Sequence, residues 1–314
     1  MTPLAADQIG VLRRPGALVA FWAFRFFVAW IVAGPIVDAI AGTGIGRHPT
    51  GDAALFEPGG LLLFEAARLA LPALGPAAGS TALLILVSAV VALFALAALM
   101  IALAHGGRLR FSAWGPTCVA HFPAFLVLWG MACVLQGIVL LLALLVFTAL
   151  HGALGQRVAE PTADLSATAA ALLVLLLLCV VAALQDLARA AVVRHEVGAG
   201  PAIRIAWRAA RSSPWPAAFG WCWPALISLA IVVAAALLVD RIAVEKLGSI
   251  RVSGAWMVHQ AAAFALVALR AAWLARALRL VSAVAPELSR SRPGFADRPA
   301  GNAAPGDPSS DPGA

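Results

Sequence analysis

Residues 172–215 read LLVLLLLCVVAALQDLARAAVVRHEVGAGPAIRIAWRAARSSPW. An uninterrupted oily run stops at Gln185. Asp186, Arg189, Arg194, His195, Glu196, Arg204, Arg208 and Arg211 then follow within a short distance. The run is long and apolar enough to cross a bilayer, which takes about 20 residues of helix. The charged stretch is either its wet end or a functional site. Composition decides the setting. Hydrophobic residues make up 62% of 314 positions and charged residues 12%, more apolar surface than a soluble domain can hide.

Six segments qualify as spans: 17–40, 80–104, 123–149, 167–188, 217–239 and 254–282. They make residues 1–285 one all-α, polytopic transmembrane domain. The first apolar run is too long for a signal peptide and holds Arg25 and Pro35, so it reads as an anchor. Pro-Gly-Ala after Arg13 and Arg14 departs from a twin-arginine export signal. The tail, 286–314, is rich in Pro, Gly, Ser, Asp and Arg and is expected to be disordered and cytoplasmic.

The net charge of +7 would suggest nucleic acid in a soluble chain. Here the charges sit between spans, so no nucleic-acid partner is expected. Fourteen Lys and Arg fall on the side holding both termini and six on the other. The positive-inside rule puts that richer side in the cytoplasm. Abundant Ala and Arg, with Lys246 the single lysine and no Tyr, point to a GC-rich bacterial genome and so to the bacterial inner membrane. Cys118, Cys133, Cys179 and Cys222 lie in or beside apolar runs with no CxxC. They read as packing residues.

Three stretches look alike: RRPGALVAFWAF at 13–24, AHFPAFLVLWGM at 120–131 and SPWPAAFGWCW at 213–223. Each places Pro near the start of an odd-numbered span, where a missing N–H is harmless, and aromatic residues just after it. The expected architecture is therefore three hairpins, each entered through a cytoplasmic amphipathic elbow helix. In the third elbow Arg204, Arg208 and Arg211 form one helical stripe, beside Ile203, Trp207 and Ala210. Those arginines are expected to face anionic lipid headgroups. In the long external loop 41–79, LLLFEAARLALPAL reads as an interfacial or re-entrant helix with Glu65 and Arg68 paired.

Enzyme templates find no purchase. RHEVGAG holds His195 and Glu196 but no second His at metal-binding spacing. No Gly-x-Ser nucleophile accompanies His259, and GTGIG at 42–46 does not open a soluble βαβ unit. The CDP-alcohol phosphotransferase motif meets Ala188, Arg189 and Gly198. It then finds Leu184, Ala202 and Ala206 where its aspartates belong. No catalytic residue, metal or cofactor is expected.

The bland reading of Asp186 and Arg189 is an i, i+3 ion pair at the end of the fourth span. Arg25, Gln136 and His259 form the candidate intramembrane polar site, since charge inside a membrane needs a reason. His121 and Gln260 are further polar candidates, each more often an interhelical partner. Arg270 is read as marking where the sixth span emerges.

QDLARAAVVRHE at 185–196, followed by an Arg-rich stretch ending at Ser213-Pro214-Trp215, resembles a family of uncharacterised six-span bacterial membrane proteins. Their fourth span ends in Asp-aromatic-Ala-Arg, and residues 51–65 resemble the family's external segment. This chain departs at Leu187, where the family has an aromatic. The resemblance covers most of 15–285 and implies architecture, not activity. The expected function is a non-enzymatic scaffold, accessory subunit or export helper. The alternative is a carrier or channel for a small solute or lipid.

Overall fold

The computed structural model describes residues 4–5, 8–42, 61–105, 111–154, 160–242 and 249–284. Seven helices account for nearly all of them. These are α1 (Pro15–Ala41), α2 (Leu61–Ala104), α3 (Phe111–Leu154), α4 (Glu160–His195), α5 (Ala199–Ser212), α6 (Pro214–Ile242) and α7 (Ser249–Val284). All but α5 are long and apolar enough to cross a membrane, so this is an all-α, multi-pass membrane protein. The tail 286–314 and the loop residues 43–60 lie outside the described residues.

Each of α1, α3 and α6 packs most extensively on the helix pair-mate expected for it: α1 on α2, α3 on α4, α6 on α7. Packing is concentrated at one end of the bundle. There the last turns of α2, α4 and α7, the start of α1, residues 118–129 of α3 and α5 share one core, with Trp221 of α6 packed against it. Small residues let these helices approach closely: Ala190 and Ala191 on α4 are fully buried, as are Ala271 and Ala277 on α7. Toward the other end Leu141, Leu144, Leu172 and Leu176 stand exposed. Surface this oily suits contact with lipid tails.

Helix boundaries depart from the expected spans in ways that matter. α4 does not end at residue 188; it runs to His195 and stops where Glu196 turns left-handed, with φ 51°. Leu187 to Val193 are all buried. Asp186, Arg189 and His195 are therefore buried among helices, whereas Glu196 and the arginines of α5 are exposed. α7 continues fourteen residues past Arg270 to Val284, so the helix itself does not end at that arginine. The segment 61–74 is neither a separate interfacial nor a re-entrant helix. It is the start of α2, whose 44 residues extend about 66 Å. The Glu65 side chain, and with it the expected Glu65–Arg68 pair, lies outside the described residues.

The three elbows differ from one another. The third is a distinct helix: α5 ends at Ser212, and Pro214 opens α6. At the second, α3 runs unbroken through Pro116 and Pro123, so no separate elbow helix stands there. At the first, a short 3-10 turn, Val11–Arg13, precedes α1. The N-terminal segment instead closes the end of α2. The Leu4 N–H donates to the Ala104 carbonyl at 3.0 Å, and Arg14 Nη2 donates to the His105 carbonyl at 2.8 Å. These carbonyls have no partner within their own helix.

α5 is more embedded than a surface elbow. Ala202, Ile205, Ala206 and Ala209 are buried where it packs on α4 and α7. Arg204, Arg208 and Arg211 are exposed on the opposite face, with Trp207 exposed beside them.

Candidate functional site

Asp186 is the natural starting point, because an apolar helix buries a carboxylate only when donors surround it. It is fully buried on α4. One oxygen accepts from Arg270 Nη2 at 2.6 Å, the other from Trp273 Nε1 at 2.8 Å. Arg189 Nη1 lies 3.6 Å away. The expected Asp186–Arg189 pair is thus present, but inside the protein, and it is the longer of two ion pairs. Arg270 and Trp273 sit one turn apart on α7, so one face of that helix presents both donors. The cluster clasps α4 to α7. Lower down, His195 Nε2 approaches the Val281 carbonyl at 3.4 Å.

Beside the clasp lies a cavity of about 550 Å³. Arg25 of α1, Arg189 of α4 and Arg270 of α7 line it. Trp221 and Ser228 of α6 and Trp273 complete its polar side; Phe21, Phe24, Leu93, Leu96 and Leu266 supply apolar wall. Arg25 lies ten residues into α1, about 15 Å along the axis. Arg270 is about 21 Å from the end of α7 by the same measure. Both arginines therefore lie within helices long and apolar enough to cross a membrane.

Three arginines line the cavity and the one carboxylate beside it pairs with Arg189 and Arg270, which leaves two positive charges. No carboxylate pairs with Arg25 among the described residues. Arg189 is buried, and its Nε makes no hydrogen bond. An electropositive, partly walled-in site of this kind attracts anions more strongly than the same charges would in water.

Gly220 sets how closely α6 approaches α7. A Cβ there would meet Cδ and Nε of Arg276 at 2.8 Å and the Trp273 ring at 3.2 Å. Its lack of a side chain lets Trp273 hold its place against Asp186.

The candidate polar site of Arg25, Gln136 and His259 is not assembled. The cavity beside Arg25 is lined by neither of the others. Gln136 is half-buried on α3, a helix that does not pack along α1, and His259 is exposed on α7. His121 Nδ1 lies 2.7 Å from the Thr117 carbonyl of its own helix rather than reaching a neighbour. Sequence reasoning missed Trp221, Ser228 and Trp273. The only signal was spacing: Arg270 and Trp273 share a helical face, in a chain whose fourth span carries a single acid near its end. Among the described residues no three His, Cys, Asp or Glu side chains gather as a metal site would require.

No protein-family profile matches the chain, and no curated protein or solved structure is significantly similar to it.

Proposed function

We propose that this protein binds an anionic ligand inside the bilayer and acts as a carrier or holder of a small anion or a lipid, without catalysing a reaction. The observation that carries the reading is the cavity lined by Arg25, Arg189 and Arg270 against the single carboxylate of Asp186. A charge at membrane depth is expensive unless paired or solvated. Asp186 offsets part of this charge; an anion would offset the rest. The reading favours the carrier alternative over a pure scaffold, because a scaffold has no use for an unpaired arginine beside a cavity. Burial of Asp186 by donors from α4 and α7 supports a positioning role for it, holding Arg189 and Arg270 at the wall.

Location in a bacterial inner membrane, with both termini and α5 on the cytoplasmic side, belongs to the same proposal and rests on the charge asymmetry. So does contact of the exposed Arg204, Arg208 and Arg211 face with anionic headgroups, and kinship with the six-span family on the 185–196 motif.

Isothermal titration of the purified full chain with pyrophosphate and glycerol 3-phosphate tests the reading. We expect saturable binding of at least one of them, weakened about tenfold or more by Arg25→Gln, since charge-assisted hydrogen bonds contribute about 1.5–3 kcal/mol each. Binding unaffected by Arg25→Gln, or no binding of either anion or of an anionic lipid, overturns it.

A further inference from the structure

We infer that the cavity takes the headgroup of a phosphate-bearing amphiphile, a membrane lipid phosphate, admitted sideways between α1 and α6. The inference rests on the anion-binding reading of the same site and adds the ligand's class and route. Three observations carry it.

The first is the mixed wall. Phe21, Phe24, Leu93 and Leu96 line the same 550 Å³ that the arginines do. A bare phosphate would leave most of that volume, and all of its apolar surface, without a partner. Ligand sites match apolar wall with apolar ligand and keep a few polar groups to fix orientation.

The second is the opening. α1 and α6 both contribute to the wall, yet they share no packed seam. Each packs instead on α7, and α1 also on α2. With α2, α4 and α7 packed on one another and contributing the remaining wall, we assign the opening to the side between α1 and α6. On the lipid-facing sides of those two helices Phe27, Trp30, Trp223 and Leu226 stand exposed. A chain leaving through this gap meets hydrocarbon, not water.

The third is charge. The surplus of two positive charges at the wall matches a phosphate monoester, which carries close to two negative charges near neutral pH. Arg25 is the exposed member, nearest the gap by its place on α1. Arg189 is the buried one, with a free Nε–H. A headgroup entering between α1 and α6 would meet them in that order.

Native mass spectrometry of the full chain in neutral detergent, with defined ligands added back, separates the possibilities. The ligands are phosphatidic acid, phosphatidylcholine with the same chains, and glycerol 3-phosphate. We expect one phosphatidic acid to be retained at least about tenfold more tightly than either of the others. Arg25→Gln should remove most of that preference, while the triple change of Arg204, Arg208 and Arg211 to Gln should leave it. Ala225 lines the cavity from α6; Ala225→Phe, which narrows it on that side, should lower phosphatidic acid retention more than glycerol 3-phosphate binding. Glycerol 3-phosphate binding as tightly as phosphatidic acid, or Ala225→Phe weakening both alike, overturns the lipid route and leaves the anion reading intact. Equal retention of the two lipids, insensitive to Arg25→Gln, overturns both.

Discussion

The indole N–H of Trp273 donates to the carboxylate of Asp186 at 2.8 Å, across the contact between α7 and α4. Arg270, one turn earlier on α7, holds the other carboxylate oxygen at 2.6 Å. The acid is fully buried, so both donors matter to stability as well as to the cavity wall.

Removing Asp186 leaves Arg189 and Arg270 facing each other without a counter-charge. Breaking a buried ion pair by deleting one partner costs about 3–5 kcal/mol, and we expect Asp186→Ala to fall in that range. Trp273→Phe keeps an aromatic ring, though a smaller one, and loses one bond to a charged acceptor, at about 1.5–3 kcal/mol. Thermal unfolding in detergent should rank Asp186→Ala above Trp273→Phe. Near wild-type stability for Asp186→Ala would remove the clasp from the account.

Gly220 tests the same contact from α6. Added bulk must displace the Arg276 stem and press on Trp273. Overpacking of this kind costs about 1–3 kcal/mol. We expect Gly220→Val to reach that range and Gly220→Ala to cost less, read as a fall in Tm. If Gly220→Val is silent, α6 and α7 are not held as closely as described.

Acid should loosen the end of α2. Burial pushes the His105 pKa below its ordinary 6.5; the bond to the Ile101 carbonyl and nearby Glu196 pull upward but do not prevail. The folded state thus prefers the neutral ring. Stability is whole above pH 6.5 and declines as pH falls from there toward the lowered folded value, because the unfolded chain takes up the proton first. Tm measured from pH 8 to pH 5 should drop, and His105→Gln should flatten part of that drop. An unchanged slope in His105→Gln would assign the effect elsewhere.

Membrane class, span number and the identity of the spans were legible in residue composition and run length. These depend on hydropathy summed over some twenty residues, which a sequence displays directly. The i, i+3 spacing of Asp186 and Arg189 also announced their pairing. Their burial was not legible. A charge cluster after an oily run looks the same whether water or other helices surround it, and here α5 and α7 cover it. Arg270 as the closer partner lies 84 residues away in sequence, a relation that no local pattern encodes. The Arg25, Gln136 and His259 grouping failed for the same reason. Polar residues in separate spans can be listed, but their facing depends on helix rotation and pairing.

The proposed topology rests on the excess of Lys and Arg on one side. Single cysteines at Leu55, Glu160 and Leu247, introduced one at a time, should react with an impermeant reagent added outside intact cells. Protection of two of the three would invert or break the arrangement.

The central claim is that the cavity wall is both reachable and positive. Ser228, on the α6 side of the cavity, suits a direct measurement as Ser228→Cys in a chain whose four native cysteines are replaced. Its labelling rate is compared for a negatively and a positively charged thiol reagent, each normalised to a free thiol. Like-signed charge focused in a walled site raises the local concentration of the opposite ion by about tenfold or more. The account predicts that the negative reagent is faster by about that factor, and that Arg25→Gln shrinks the difference. Equal rates, or a faster positive reagent, would contradict it.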